Sequence, residues 1–372
     1  MLDKWAMAPN IYTGKDSLLR LEQFENERIG LICDPFLINS DSLQRILSHI
    51  ENRNEVTIYS EIVPDPPIEV VASGVGKMQS HQPTVLIAVG GGSAIDTAKA
   101  ILYTLLATDY HYMKRFIAIP TTSGTGSEVT CVSVVTDAEE RIKYPIFDQR
   151  LIPDEALLDA QLIISSPPKV TAFSGLDALS HAIEALVAKN QTTYTDALAE
   201  KAIHYVFSYL EQCYVHGDDL YAREKMQEAS CLAGIAFDAA GLGINHAIAH
   251  QVGSQFKVPH GLANAMLLPH VIAFNAQDNN AKRKYAEIAL YLGLGNRSLS
   301  DQLLVSKLIK KVVNLCKSMD CPMTLTELGI EREVSMKRAE IIAENALNDS
   351  TYPFNPVGAS VSDLLAIYKQ II

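Results

Sequence analysis

From Thr84 the chain runs Val-Leu-Ile-Ala-Val89 without a polar break and stops at Gly90-Gly91-Gly92, after which Ser93 to Leu106 show helical periodicity. A strand with no polar alternation must be covered on both faces, the condition of a strand inside a parallel sheet. Similar alternation recurs over the first 165 residues or so. Arg28 to Asp34, Val56 to Ile62 and Phe116 to Pro120 read as strands, and Asp41 to Ile50 and Ile68 to Ser80 as helices. Strands alternating with helices predict βαβ units around a mostly parallel, Rossmann-like sheet. Cys131 to Asp137 and Arg141 to Phe147 flank Ala138-Glu139-Glu140 and predict a hairpin. Past Ile164-Ser165-Ser166-Pro167-Pro168 the strand signals fade, and Asp196 to Gln212, Ala222 to Phe237 and Ser300 to Met319 carry helical periodicity. The expectation is an α/β nucleotide-binding domain over 1–165 and an all-helical domain over 166–372.

At 372 residues the chain is long enough for two sizeable cores. Its formal charge of −12, with no basic run, argues against nucleic acid or an anionic membrane as partner. Met1 to Trp5 do not read as a secretory signal, and the apolar runs are strand-length. The six cysteines show no Cys-x-x-Cys pair, so buried, reduced thiols and a cytoplasmic location are expected.

The helical part carries the most telling polar residues. Asp177 and His181 are four apart and share a helix face; His246 and His250 are paired by the same rule, and His260 follows a short break. A lone histidine is more often a core or surface residue than a ligand, but five of the ten histidines lie at 181, 246, 250, 260 and 270. Asp177, His181, His246 and His260 together make a ligand set for one divalent metal. One carboxylate oxygen and three imidazole nitrogens suit Fe²⁺ or Zn²⁺ better than Ca²⁺ or Mg²⁺. His270 has no partner at helical spacing and is expected to be structural.

In the first domain, Gly90-Gly91-Gly92-Ser93 stands where a strand passes into a helix, the place where open α/β sheets bind phosphates. Ser93 and Asp96 predict a capping-box-like start to that helix. Thr121-Thr122-Ser123-Gly124-Thr125-Gly126-Ser127 is a second polar loop at a strand end. No Gly-x-Gly-x-x-Gly fingerprint lies near the first strand, and the glycine run alone is also consistent with a plain tight turn. Asp34 is placed to accept from a ribose 2′-hydroxyl and to repel a 2′-phosphate, or to serve as a turn residue.

With both sites in view, the chain resembles the iron-containing (group III) alcohol dehydrogenases. The matching segments are Gly90-Gly91-Gly92-Ser93-x-x-Asp96, Pro120 to Glu128, Gly175-Leu-Asp177-Ala-Leu-Ser-His181-Ala-Ile-Glu184 and Gly241 to Pro269. Its compact length, Cys33-Asp34 and Asp196-Ala-Leu-Ala-Glu-Lys201 look most like the branch acting on 1-propanol in bacterial propanediol utilisation. The resemblance implies the dehydroquinate synthase-like fold, with iron (or zinc) on Asp177, His181, His246 and His260. It sets His250 off the metal in proton transfer or pocket shaping. It implies NAD(H) across Gly90, Gly91, Gly92, Ser93, Asp96, Thr121, Thr122, Thr130 and Lys143, with Asp34 at the adenosine ribose. It further implies a homodimer through the N-terminal strands, near Asn10 to Tyr12, and association with a bacterial microcompartment. Phe237 is a candidate for the substrate pocket.

The activity expected on this basis is reversible hydride transfer between NAD(H) and a short-chain aldehyde or primary alcohol. A metal-dependent sugar-phosphate cyclase of the same fold would need basic residues for its phosphate, and the segments beside the ligands are apolar. A non-enzymatic scaffold or metal reservoir would leave both nucleotide loops unexplained.

Overall fold

The computed structural model describes residues 9–64, 66–108, 110–137 and 142–372. Two compact units emerge: one runs to Ser166 and takes in Asp218–Cys231, the other comprises Pro167–Gly217 and Leu232–Ile372. The first unit holds strands β1 (Asn10–Thr13), β2 (Arg28–Cys33), β3 (Glu55–Tyr59), β4 (Val85–Gly90), β5 (Arg115–Pro120), β6 (Val132–Asp137), β7 (Ile142–Phe147) and β8 (Glu155–Leu158). Its helices are α1 (Asp41–Ser48), α2 (Ile68–His81) and α3 (Gly92–Leu106).

Six strands form a wholly parallel sheet in the order β1-β8-β5-β4-β2-β3, and β6 with β7 makes the expected antiparallel hairpin. Successive residues of β4 enter opposite cores. Val85, Ile87 and Val89 pack with Leu43, Ile46 and Leu47 of α1, whereas Leu86 and Ala88 pack with Val75 of α2 and Ile95 and Ile101 of α3. Two covered faces are why the run after Thr84 has no polar alternation. The chain steps outward from β2 to β3, then returns past β2 to place β4 on its other side. α1 and α3 therefore leave the sheet on opposite faces, opening a crevice at the carboxyl ends of β2 and β4.

β8 is not among the predicted strands. Glu155-Ala-Leu-Leu158 is short and carries little β propensity, but β1 and β5 pair with it on either side. The segment 218–231, which the sequence places in the helical part, joins the first unit: Arg223 donates to Ser166 O at 3.3 Å and Gln227 to Pro120 O at 3.3 Å.

The second unit is helical, with α4 (Pro168–Val187), α5 (Thr193–Val215), the end of α6 (Leu220–Ala240), α7 (Ile244–Phe256), α8 (His260–Asn275), α9 (Asn279–Tyr291), α10 (Asp301–Ser318), α11 (Arg332–Leu347) and α12 (Val361–Tyr368). Every residue of α4 from Gly175 to Val187 is buried, as befits a helix wrapped by others. α4 and α8 meet very closely, because a Cβ on Gly261 would collide with the carbonyl oxygen of Phe173. All six cysteines are free and buried. Among the described residues no single helix is long and apolar enough to cross a membrane.

One buried charge cluster supports the first unit. Lys99 on α3 is wholly buried and donates to Thr130 O at 2.7 Å, Thr130 Oγ1 at 3.1 Å and Val132 O at 2.9 Å. Burial pushes the carboxyl of Glu128 up to about 7, from the 4.5 of an ordinary glutamate, despite the Lys99 charge. Between about pH 4.5 and 7 the folded chain thus keeps a proton that the unfolded chain has released, so stability falls as pH rises through that window and levels off above it. Glu128→Gln removes this titration. Urea unfolding at about pH 5 and about pH 7.5 should show the variant gaining on wild type by about 2 kcal/mol. A pH-independent difference would contradict the buried-acid assignment.

Candidate functional site

The features singled out in the sequence fall into two groups, each inside one unit. In the first unit, Asp34 follows β2, Gly90 ends β4 and Gly91 and Gly92 begin α3, so they share the crevice at the strand ends. Gly91 N–H donates to Asp34 Oδ2 at 2.9 Å. Burial raises the Asp34 carboxyl, and the Gly91 hydrogen bond opposes that rise. Gly90 has φ +151°, and a Cβ there would strike Asp34 Oδ2. Only glycine permits this turn.

The helix start differs from the sequence expectation. Gly91 is the N-cap of α3, with no side-chain cap, and Ser93 lies inside the first turn. The Asp96 carboxylate turns instead to the second loop, accepting from Ser127 Oγ at 2.6 Å and Val134 N at 3.1 Å. These two donors outcompete the cap, and Asp96 becomes a strut between α3 and the 121–134 loop. Thr130 is buried, with its hydroxyl held by Lys99. Thr121 is buried as well; its N–H donates to Gly90 O at 2.9 Å while its Oγ1 has no partner. Thr122 packs beside Gly91. Lys143 lies on β7, but its side chain falls outside the described residues. The crevice fits a dinucleotide in kind: the N–H groups of Gly92 and Ser93, at the start of α3, lie beyond the reach of the helix's own carbonyls, and the Thr121 hydroxyl is an orphaned donor.

In the second unit, one face of α4 carries Asp177, His181 and Glu184, at spacings of four and three. α7 supplies His246 and His250, and α8 opens with His260. The bare Gly261 lets that first turn approach Asp177. One ligand atom from each of Asp177, His181, His246 and His260 lies within 4.8 Å of the other three. His260 is half-buried and the other three are buried. The His181 and His246 rings stack at 4.6 Å, and Phe237 stacks on the other side of His181 at 4.4 Å. The donor set and its burial fit a divalent transition metal of the Fe²⁺ or Zn²⁺ kind.

Supporting side chains fix these rings. Glu184 Oε2 pairs with His246 Nδ1, and its Oε1 accepts from Asn245 N at 3.0 Å. Burial holds His246 well below the ordinary histidine range and pushes Glu184 up to about 8. A neutral imidazole with Nδ1 toward a carboxyl group presents its Nε2 lone pair, the state a metal ligand needs. His250 Nδ1 lies 2.8 Å from Asp349 Oδ2, and Thr351 donates to Asp349 Oδ1 from N at 2.9 Å and Oγ1 at 2.8 Å. Burial alone would raise the Asp349 carboxyl; its neighbour His250 and these hydrogen bonds outweigh it and hold the group below its usual range. His250 stacks on His260 at 5.4 Å and is outside the four-atom cluster. His270 on α8 makes no part of it, and burial lowers its basicity.

Two residues with clear roles in this geometry, Glu184 and Asp349, are not among the site residues read from the sequence. Glu184 had a readable signal, since it lies three after His181. Asp349 had none, being 99 residues from His250.

Comparison with known proteins agrees with this geometry. The profile of iron-containing alcohol dehydrogenases matches residues 8–160, and that of the C-terminal part of the Fe-containing alcohol dehydrogenase family matches 171–372. The chain is 42% identical to a 1-propanol dehydrogenase PduQ of Citrobacter freundii over 371 residues, covering 100% of both. Among solved structures, a 1,3-propanediol oxidoreductase superposes with TM-score 0.91 at 31% identity, covering 100% of both chains. A sulfoacetaldehyde reductase from Bifidobacterium kashiwanohense in complex with NAD⁺ superposes with TM-score 0.88 at 27% identity, over 100% of this chain and 99% of that one. With both profiles matched and the four-residue cluster in place, the chain belongs to the iron-containing alcohol dehydrogenase family and is an oxidoreductase.

Proposed function

We propose that this chain is an NAD(H)-linked, metal-dependent alcohol dehydrogenase that interconverts a short-chain aldehyde and its primary alcohol, with propionaldehyde and 1-propanol as the reference pair. The convergence of Asp177, His181, His246 and His260 within 4.8 Å carries the reading. These residues would hold Fe²⁺, with Zn²⁺ as the alternative, while Gly92, Ser93, Thr121 and Thr122 would line the dinucleotide and Asp34 its ribose. When bound, the cation supplies a Lewis acid for the substrate oxygen and the nicotinamide exchanges the hydride.

The chain's own residues supply order, proton traffic and exclusion of water. Glu184 fixes the His246 ring, so its Nε2 needs no reorganisation to serve as ligand. Asp349 sets the proton of neutral His250 on Nδ1, which leaves Nε2 to accept the alcohol's proton or, once protonated, to return it to the product. Phe237 covers His181 with an apolar face. No Arg or Lys occurs between residues 226 and 256, so a pocket built from this stretch has no basic group for a carboxylate or phosphate. The reading extends to a homodimer formed at the β1 edge of the sheet, in the cytoplasm, with association to a microcompartment; the likeness to 1-propanol dehydrogenase PduQ supports 1-propanol as the reference substrate.

Three outcomes test it. His260→Ala should lose most bound metal and turnover together, and full metal content by elemental analysis would remove His260 from the ligand set. Asp34→Gly should relax the kcat/KM preference for NADH over NADPH, and an unchanged ratio would show that Asp34 does not read the ribose. In an anaerobic assay of NADH loss, kcat/KM should rise from acetaldehyde to propionaldehyde by up to about fourfold, the equivalent of about 0.8 kcal/mol for one buried methylene. A preference for glyoxylate or a sugar phosphate would refute the simple-aldehyde reading.

A further inference from the structure

Asn264 lies one helical turn after His260 on α8 and has no exposed surface. Its carboxamide nitrogen is 2.8 Å from Asp177 Oδ1, 3.0 Å from His246 Nε2 and 3.2 Å from His260 Nε2. One NH₂ group thus faces an atom from each of three of the four clustered residues. The amide's sense is fixed from behind, because Asn245 Nδ2 donates to Asn264 Oδ1 at 3.0 Å and to Asn264 O at 3.3 Å. A flipped Asn264 would press its oxygen against a carboxylate oxygen and two imidazole nitrogens. An amide NH₂ group only donates, so the His246 Nε2 facing it is the acceptor and the ring proton lies on Nδ1, toward Glu184. The positive end of the Asn264 amide dipole is therefore aimed into a knot of lone pairs that would otherwise repel one another in a buried place.

We propose that Asn264 is a positioning residue for the metal site: the two N–H bonds of its amide, shared among Asp177, His246 and His260, gather these groups into ligating geometry. The inference rests on the metal reading of this cluster. The three contacts differ in one respect. Each imidazole Nε2 has a single lone pair, so its hydrogen bond to the amide competes with a cation. Asp177 Oδ1 has more than one, so its bond to Asn264 is compatible with ligation. Holding the carboxylate is accordingly the part of the role that persists in the loaded protein, in the way that hydrogen bonds to a ligating carboxylate usually tune affinity.

The test uses the full chain stripped of metal, with Zn²⁺ and Co²⁺ as probes. Asn264→Leu keeps roughly the side-chain volume and removes the donor. Competition against a chromophoric chelator should show Zn²⁺ bound about 10- to 100-fold more weakly than by wild type. The visible absorption of the Co²⁺-loaded variant, which reports ligand geometry, should shift with it. Wild-type affinity and an unshifted spectrum would overturn the proposal. So would a lower melting temperature with affinity and spectrum unchanged, since that assigns Asn264 to packing alone. If the leucine variant does not fold, Asn264→Ala removes the same donor without bulk and is judged by the same two readings. Wild-type protein that takes up neither ion would overturn the metal reading itself, and this inference with it.

Discussion

Gathering one carboxylate and three imidazoles into a buried space is costly, and much of the helical unit is arranged around that cost. Groups whose lone pairs converge repel one another and lose water, so each needs a partner. Glu184 and Asn245 brace the His246 end, and Asn264 reaches across to Asp177, His246 and His260. Asn355 holds the beginning of α7, its Oδ1 accepting from Ile244 N at 3.2 Å and from Asn275 Nδ2 at 3.1 Å. Gly261 removes the one Cβ that would keep α8 away from α4. The site is thus a property of how α4, α7 and α8 meet.

The α/β unit meets a different constraint by a comparable economy of residues. Reversal of strand order between β2 and β4 leaves a crevice, and Gly90 turns the chain there with a backbone that no side chain could tolerate beside Asp34. Asp96, fully engaged by Ser127 and Val134, ties the helix below the crevice to the loop beside it. A rigid floor of this kind suits a ligand held mainly by backbone N–H groups.

What the sequence reveals follows from how local each signal is. The β4 run is legible because burial on two faces leaves an unbroken apolar stretch. Asp177 and His181 are legible because helical spacing puts them on one face, and Cys131 to Phe147 because two β-rich pieces flank a short polar break. β8 is hidden because its pairing with β1 and β5, and not its own residues, makes it a strand. The cap expected at Ser93 fails because Asp96 finds better donors more than thirty residues away. The partnership of His250 with Asp349, reached only when α7 and the turn after α11 come together, has no local trace. Sequence spacing thus exposes ligands on one element and conceals the groups that orient them from another.

We propose one divalent cation among Asp177, His181, His246 and His260, with His250 outside its ligand set. Anomalous diffraction at the metal absorption edge, from crystals of anaerobically loaded protein, tests this directly. A single strong peak is expected about 2.0–2.2 Å from one oxygen of Asp177 and one nitrogen of each of the three histidines. A peak coordinated by His250 in place of His260, or one that lies away from these four side chains, would contradict it.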